Sequence, residues 1–359
     1  MQDLYRAVTD YSSGRKNDPS PDLKIEPVFR SIENAFLMVF SFVGVDAILA
    51  VIMVISVLSV SYFKDLPLVF PSPKGAAFVG MHYIYPLLAV AILAPGVACR
   101  VGVDGNVFFR SIVRAMICYV AILYAHFMFK LWIPHLNSSN YDALFWGMDQ
   151  KAHWLVDAFV AIRIDVFGFI SYSANFYMLG FVAMFYIGLI WQIRKAPAHA
   201  RELMVACMLM QILGTIGYLL APAVGPFRFE DGVNPIITQQ QASMMDFYRQ
   251  SVAHGAGWLQ ANGSASFTAG LAAMPSLHVA GASLFFLNAR RHAPGLSALF
   301  GFILTYIVVT SVASRWHYLI DLPFGLVVAW LSLAGAERLV RLERRYQAPL
   351  RLVGRPALA

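Results

Sequence analysis

The sequence predicts an all-α, polytopic integral membrane protein with about eight transmembrane helices, and three observations carry that prediction. Hydrophobic residues make up 59% of the 359 positions and charged residues only 13%, against about 25% charged in soluble domains. Mean hydropathy is +0.62. The apolar residues are gathered into eight long runs. A chain this apolar cannot cover its own core with polar surface, which excludes disorder, a coiled coil, a disulfide scaffold and a soluble enzyme.

Residues 1–32 are polar, with Pro19, Pro21, Pro27 and mixed charges but no apolar h-region. They read as a cytoplasmic lead-in, not a cleavable signal peptide. The first apolar run, 33–63, exceeds what a ~30 Å hydrocarbon core needs, so this helix tilts or protrudes. Further runs follow at 76–99, 108–133, 171–193, 203–224, 274–292, 297–313 and 317–340, and residues 341–359 form a basic tail. Eight spans put both termini on the cytoplasmic side. With that orientation 19 of the 27 Lys and Arg face inward, including Arg290, Arg291 and six arginines from Arg338 to Arg355. The positive-inside bias therefore absorbs the net charge of +7, and no nucleic-acid partner is needed. Cys99, Cys118 and Cys207 lie inside apolar runs and read as small core residues.

Two outer segments are too long to be simple connectors. Residues 134–170 carry Trp146, Trp154, Lys151, Asp157 and Arg163 among aliphatics at helical spacing, the pattern of an amphipathic helix at the interface. Residues 225–273 are rich in Gly, Ser, Asn and Gln, with Arg228, Arg249 and His254, and read as a long functional loop.

Charge and imidazole are scarce in this chain, so their positions inform. Met274-Pro275-Ser276-Leu277-His278 opens the sixth span at its outer end, and Ser314-Arg315-Trp316-His317 through Asp321 opens the eighth at the same face. His317 and Asp321, four apart, are expected on one helical face. There the carboxylate fixes the tautomer and leaves the other ring nitrogen available. Helix amino termini, with Pro275 suited to a first turn, favour an anion. Arg315 and Arg228 suit bidentate phosphate contact and could equally snorkel to head groups. Ser276 could bind phosphate or cap its helix. Asp46, His82 and His126 within the spans are either polar contacts between helices or functional groups. His254 could help to bind substrate.

Pro275-Ser276-Leu277-His278, together with Ser314-Arg315 followed by His317 and Asp321, resembles the type-2 phosphatidic acid phosphatase superfamily of membrane phosphatases and phosphotransferases. The likeness covers about 108–340, which would supply the six-helix core of that family, with 33–107 as two additional helices. The phosphatase branch has Lys, six residues, then Arg-Pro, a string absent here, and it spaces Ser-Arg further from His. The compact His-Tyr-Leu-Ile-Asp form, with Ala-Pro-x-x-Gly-Pro upstream of Arg228, looks more like the inositol phosphorylceramide synthase branch.

The resemblance implies that His317 attacks phosphorus and forms a phosphohistidine, with Asp321 orienting it. His278 then serves as acid and base, and Arg228, Arg315 and Ser276 hold the phosphate. It implies a lipid phosphate or phospholipid donor, with an alcohol acceptor in the leading version and water in the alternative. The site would open at the extracytoplasmic face of an inner-membrane-type bilayer. Without a dense carboxylate cluster no metal or other cofactor is expected. A proton-coupled transporter using Asp46, His82, His126 and Asp321 is a different class, and would predict inverted repeats that the sequence lacks. A metal hydrolase with His278, His317 and Asp321 as ligands is a third.

Overall fold

Prolines and capping side chains start some of the helices that the apolar runs form. The computed structural model describes residues 44–72, 93, 100, 105–267 and 273–353, and among them it holds ten α-helices and no strand. α1 (Val45–Lys64) has Asp46 in its first turn and Lys64 in its last, the charge order that suits a helix dipole. α2 (Gly105–Leu136) is followed by α3 (Asp142–Lys151), α4 (His153–Ala161), a π-turn over Ile162–Val166 and a 3-10 turn over Tyr172–Ala174. α5 (Phe176–Lys195) and α6 (Pro197–Leu220) are joined through Ala196 alone, with Pro197 at the start of the helix. α7 (Pro235–Asn262), α8 (Leu277–His292), α9 (Ser297–Ala313) and α10 (Asp321–Val353) complete the order.

The chain divides into two units, residues 45–342 and residues 1–44 with 343–359. In the second unit the described residues are Gly44 and the helical stretch 343–353.

Among the described residues six helices are long and apolar enough to cross a membrane: α1, Arg110–Leu136 of α2, α5, α6, Pro294–Ala313 and Asp321–Arg345. Of the eight expected spans, 76–99 lies outside the described residues except for Leu93, as do 33–43 of the first run, His82 and Cys99. The expected span 274–292 corresponds to α8, which is not among these six. Residues 274–276 approach the helix in irregular backbone, so α8 has 16 residues, about 24 Å at ~1.5 Å each and short of a ~30 Å core.

The outer segments also differ from expectation. Residues 134–170 do not form one helix, because Ala152 leaves helical geometry (φ −123°, ψ 27°) and separates α3 from α4. Leu144, Met148, Trp154, Ile164 and Phe169 still present an exposed apolar face. Buried Arg163 pins the following turn by donating to Phe167 O at 2.9 Å and Ile170 O at 3.0 Å. Much of 225–273 is α7, not loop. Asn234 caps it by accepting from Ile236 N at 3.0 Å, and Pro235 fills the first position. Gly255, at φ +70°, kinks it.

In the unit 45–342, α2 packs on α1 and α6, α8 on α5, α6 and α9, and α9 on α4 and α5. α10 closes over the start of α8 so tightly that a Cβ at Gly325 would lie 2.7 Å from Ser276 O. Asp46 is buried and clamps three helices, accepting from Arg114 Nε at 2.7 Å and Arg201 Nη2 at 2.6 Å. His126 is buried against Thr215 Oγ1 at 2.8 Å. That hydroxyl donates to Gln211 O at 2.7 Å, so His126 Nδ1 is the donor in the pair. Both residues are thus polar contacts between helices. Cys118 and Cys207 are free and buried, as core residues.

Candidate active site

Three irregular stretches meet where α6, α8, α9 and α10 end or begin. Buried irregular backbone must satisfy its own polar groups, and these stretches do so by bonding to each other. Ala273 N donates to Ala223 O at 3.3 Å, Phe227 N to Arg315 O at 3.0 Å, Val233 N to Ala313 O at 3.1 Å, and Ser276 N to Asp321 O at 3.2 Å. The last bond ties the start of α8 directly to the start of α10. Gly225 is required where it stands: its φ is +130°, and a Cβ there would lie 2.9 Å from Trp316 O.

Buried carboxylates fix the remaining geometry. Asp142 Oδ1 accepts from Val224 N at 2.9 Å, Gly225 N at 3.0 Å and the Tyr318 hydroxyl at 2.8 Å, and Oδ2 accepts from Asn140 Nδ2 at 2.8 Å. Asp149 Oδ1 accepts from Leu319 N at 3.0 Å while Oδ2 is buried without a partner. Burial pushes the Asp149 carboxyl up to about 6. Asp321 Oδ2 accepts from Tyr318 N at 2.8 Å and from His317 Nδ1 at 3.2 Å.

His317 and Asp321 do not share a helical face as the spacing suggested. α10 starts at Asp321, and His317 lies in the turn before it. The carboxylate spends one oxygen on Tyr318 N, which holds 317–320 out of the helix and still brings the imidazole into contact. His317 Nδ1 also faces Ala273 O at 2.8 Å. Both neighbours of Nδ1 are acceptors, so Nδ1 carries the proton and Nε2 keeps its lone pair.

His278, in the first turn of α8, packs edgewise against Phe181 (ring centroids 5.1 Å) and against Tyr177 (5.0 Å). Pro275 precedes α8 and is not in its first turn. Ser276 is the cap, its Oγ accepting from Val279 N at 3.4 Å. Arg315 is buried at φ +56°, a strained conformation for a side chain of this size. Its Nη2 donates to Glu230 Oε2 at 2.9 Å and its guanidinium lies over Trp146, leaving Nε and Nη1 buried without partners. His153 Nε2 meets the same Glu230 oxygen at 3.2 Å, and that contact holds the His153 pKa above its ordinary value. Arg228 is exposed, 3.6 Å from Asp142 Oδ2. His254 is exposed on α7.

The structure thus brings His317, Asp321, Ser276, His278 and Arg315 to one cluster of helix ends and holds Arg228 at its edge through Asp142. Asp142, Asp149, Glu230 and Tyr318 were not among the sequence-derived candidates. The one signal for the three carboxylates is scarcity, in a chain with only 20 Asp and Glu, and the signal for Tyr318 is its place between His317 and Asp321. Among the described residues no three His, Cys, Asp or Glu side chains converge as metal ligands.

A family model described as PAP2 superfamily matches residues 146–335, more than half of the chain. No curated protein and no solved structure matches. The matched stretch contains the five residues proposed from the two motifs and also Arg228, and leaves Asp142 outside.

Proposed function

The chain belongs to the PAP2 superfamily of membrane phosphatases and phosphotransferases acting on lipid phosphates, and on that premise we propose that it moves a phosphorylated head group from a phospholipid to an alcohol through a phosphohistidine. The observation that carries the reading is the pair of acceptors at His317 Nδ1, Ala273 O at 2.8 Å and Asp321 Oδ2 at 3.2 Å, which draws the proton to Nδ1 and leaves the lone pair on Nε2. Nε2 bonds to phosphorus as the bond from phosphorus to the leaving oxygen breaks, and His278 gives that oxygen its proton. Asp321 balances the imidazolium. In the second half His278 takes the proton of the acceptor hydroxyl, whose oxygen bonds to phosphorus as the N–P bond breaks. Arg228, Arg315 and Ser276 hold the non-bridging oxygens. The unpartnered Nε and Nη1 of Arg315 and the hydroxyl hydrogen of Ser276 are donors suited to that task.

In the same reading 108–340 is the catalytic core, 33–107 an addition, and the site faces away from the cytoplasm. The inositol-phosphate type of donor rests on the compact His-Tyr-Leu-Ile-Asp motif and on Ala-Pro-x-x-Gly-Pro. No metal takes part, so activity persists in chelator. The test is purified protein given labelled phospholipids with and without a lipid alcohol. Transfer of the labelled head group to the alcohol, lost in His317→Ala, is the expected result. Rapid release of inorganic phosphate from a phosphomonoester lipid, with no acceptor dependence, would assign water as the acceptor instead.

A further inference from the structure

Lys130 lies inside the apolar stretch Arg110–Leu136, six residues before its end. Its ammonium stands 5.7 Å from the centre of the Phe127 ring and 6.0 Å from that of Tyr218. Contacts with ring faces hold a cation without cancelling its charge, and among the described residues no carboxylate pairs with it. Several other cations of the unit have oxygens beside them: Arg114 and Arg201 on Asp46, Arg163 on two carbonyls, Arg315 on Glu230, Arg228 beside Asp142. A charge at this depth without a counter-ion marks a pathway or a binding site.

Its position says which. Tyr218 belongs to α6, whose last turns press on the start of α8, where a Cβ at Gly217 would lie 2.5 Å from Pro275 Cδ and one at Gly214 2.5 Å from Leu277 Cδ2. Lys130 therefore stands beside Tyr218, the residue that follows Gly217, and Gly217 packs on Pro275 three residues before His278. Lys130 and His278 keep some accessible surface, although they stand among packed helices. His126, one turn earlier on α2, is tied to Thr215 of α6 and fixes the register of the two helices.

We propose that Lys130 is a substrate-binding residue, its ammonium neutralising the anionic oxygens of the phosphoryl group on the side where His278 stands. The ammonium offers three donors on a mobile stem, matched to a tetrahedral anion that arrives and leaves. The inference rests on the phosphoryl-transfer reading above, and it supplies that site with a cation from α2, outside the motifs.

The test uses the full chain in nanodiscs and two probes, orthovanadate as a phosphoryl anion without lipid and phosphatidic acid as a phosphoryl group on lipid. Each raises the thermal midpoint of the wild-type protein. K130M requires at least about ten-fold more of the probe for the same shift, the loss expected for one charged hydrogen bond, whereas K130R stays within about three-fold. Weakening in both arms means that Lys130 reads the phosphoryl group itself. Weakening in the lipid arm alone means that it reads the lipid-borne form, and either result supports the proposal. Equal midpoints for K130M and wild type in both arms overturn it. A wild-type protein that responds to neither probe overturns the phosphoryl-transfer reading first. If K130M does not fold, acetic anhydride labelling of the wild-type protein decides: orthovanadate slows acylation at Lys130, and unchanged acylation in its presence overturns the proposal.

Discussion

On the His317 ring, two acceptors at Nδ1 leave a single productive proton arrangement, and substitutions around it separate shape from charge. In the proposed mechanism His317→Ala removes the atom that takes the phosphoryl group, so no labelled phosphoenzyme should form. Asp321→Asn keeps an oxygen for His317 and Tyr318 N but would no longer balance the proposed imidazolium, so turnover should fall roughly 10²–10⁴-fold with the fold unchanged. His278→Ala is as impaired on lipid substrates, yet its first half-reaction recovers on an aryl phosphodiester whose leaving group needs no proton. Equal recovery of both alanine variants would remove His317 from the nucleophile position. Asp149 gives a pH signature. Its carboxyl is raised by burial from 3.8 to about 6, so folding favours the neutral form. Its contribution is full below about pH 4 and is lost as pH rises through about 6, a difference of about 3 kcal/mol. The melting temperature of wild type should therefore fall relative to Asp149→Asn between about pH 4 and about pH 7. A gap that does not change with pH would mean that Asp149 does not titrate there.

Helix ends, more than helices, hold the candidate site, and this is where sequence reading was least complete. The apolar runs and the Pro-Ser-Leu-His and His-Tyr-Leu-Ile-Asp strings pointed to α8, α10 and the histidines, because hydropathy and local motifs are short-range signals. The start of α7 was equally legible in Asn234-Pro235, but its Gly, Ser and Gln content masked it. Asp142 could not be found in that way, since its partners lie in the 223–225 stretch and at Tyr318. Only the fold brings these together. Asp142→Ala leaves Val224 N, Gly225 N and the Tyr318 hydroxyl unpaired and should cost about 3–5 kcal/mol, as for breaking a buried charged network. Tyr318→Phe removes one bond of that set and should cost about 1 kcal/mol. Chemical unfolding of the two variants beside wild type measures both, and equal losses would show that the backbone bonds contribute little.

For the molecule as a whole, the expected orientation puts the loops that gather His278 and His317 on one face of the bilayer and Arg290 and Arg291 on the other. Thiols introduced near Gly263 should react with an impermeant reagent in intact cells, and thiols near Arg291 should not; the opposite pattern inverts the topology. Eight spans were expected from hydropathy, and six helices among the described residues are long and apolar enough to cross. α8 escapes that count because burial among helices lets it carry Asn288 and Ser283 and stay short. The Tyr318–Asp142 hydrogen bond also sets a schedule for biosynthesis, because it joins positions 176 residues apart. At about 5–20 residues per second, the Asp142 carboxylate waits roughly 10–35 s after its own translation for that hydroxyl to be made. During this interval the nascent chain holds a carboxylate cut off from one of its partners beside the translocon. Ribosome-stalled chains ending at about residue 310 should therefore be cleaved by protease near α3, where the finished protein resists. Translation of the last helix would then act as the switch that turns a quality-control substrate into an enzyme.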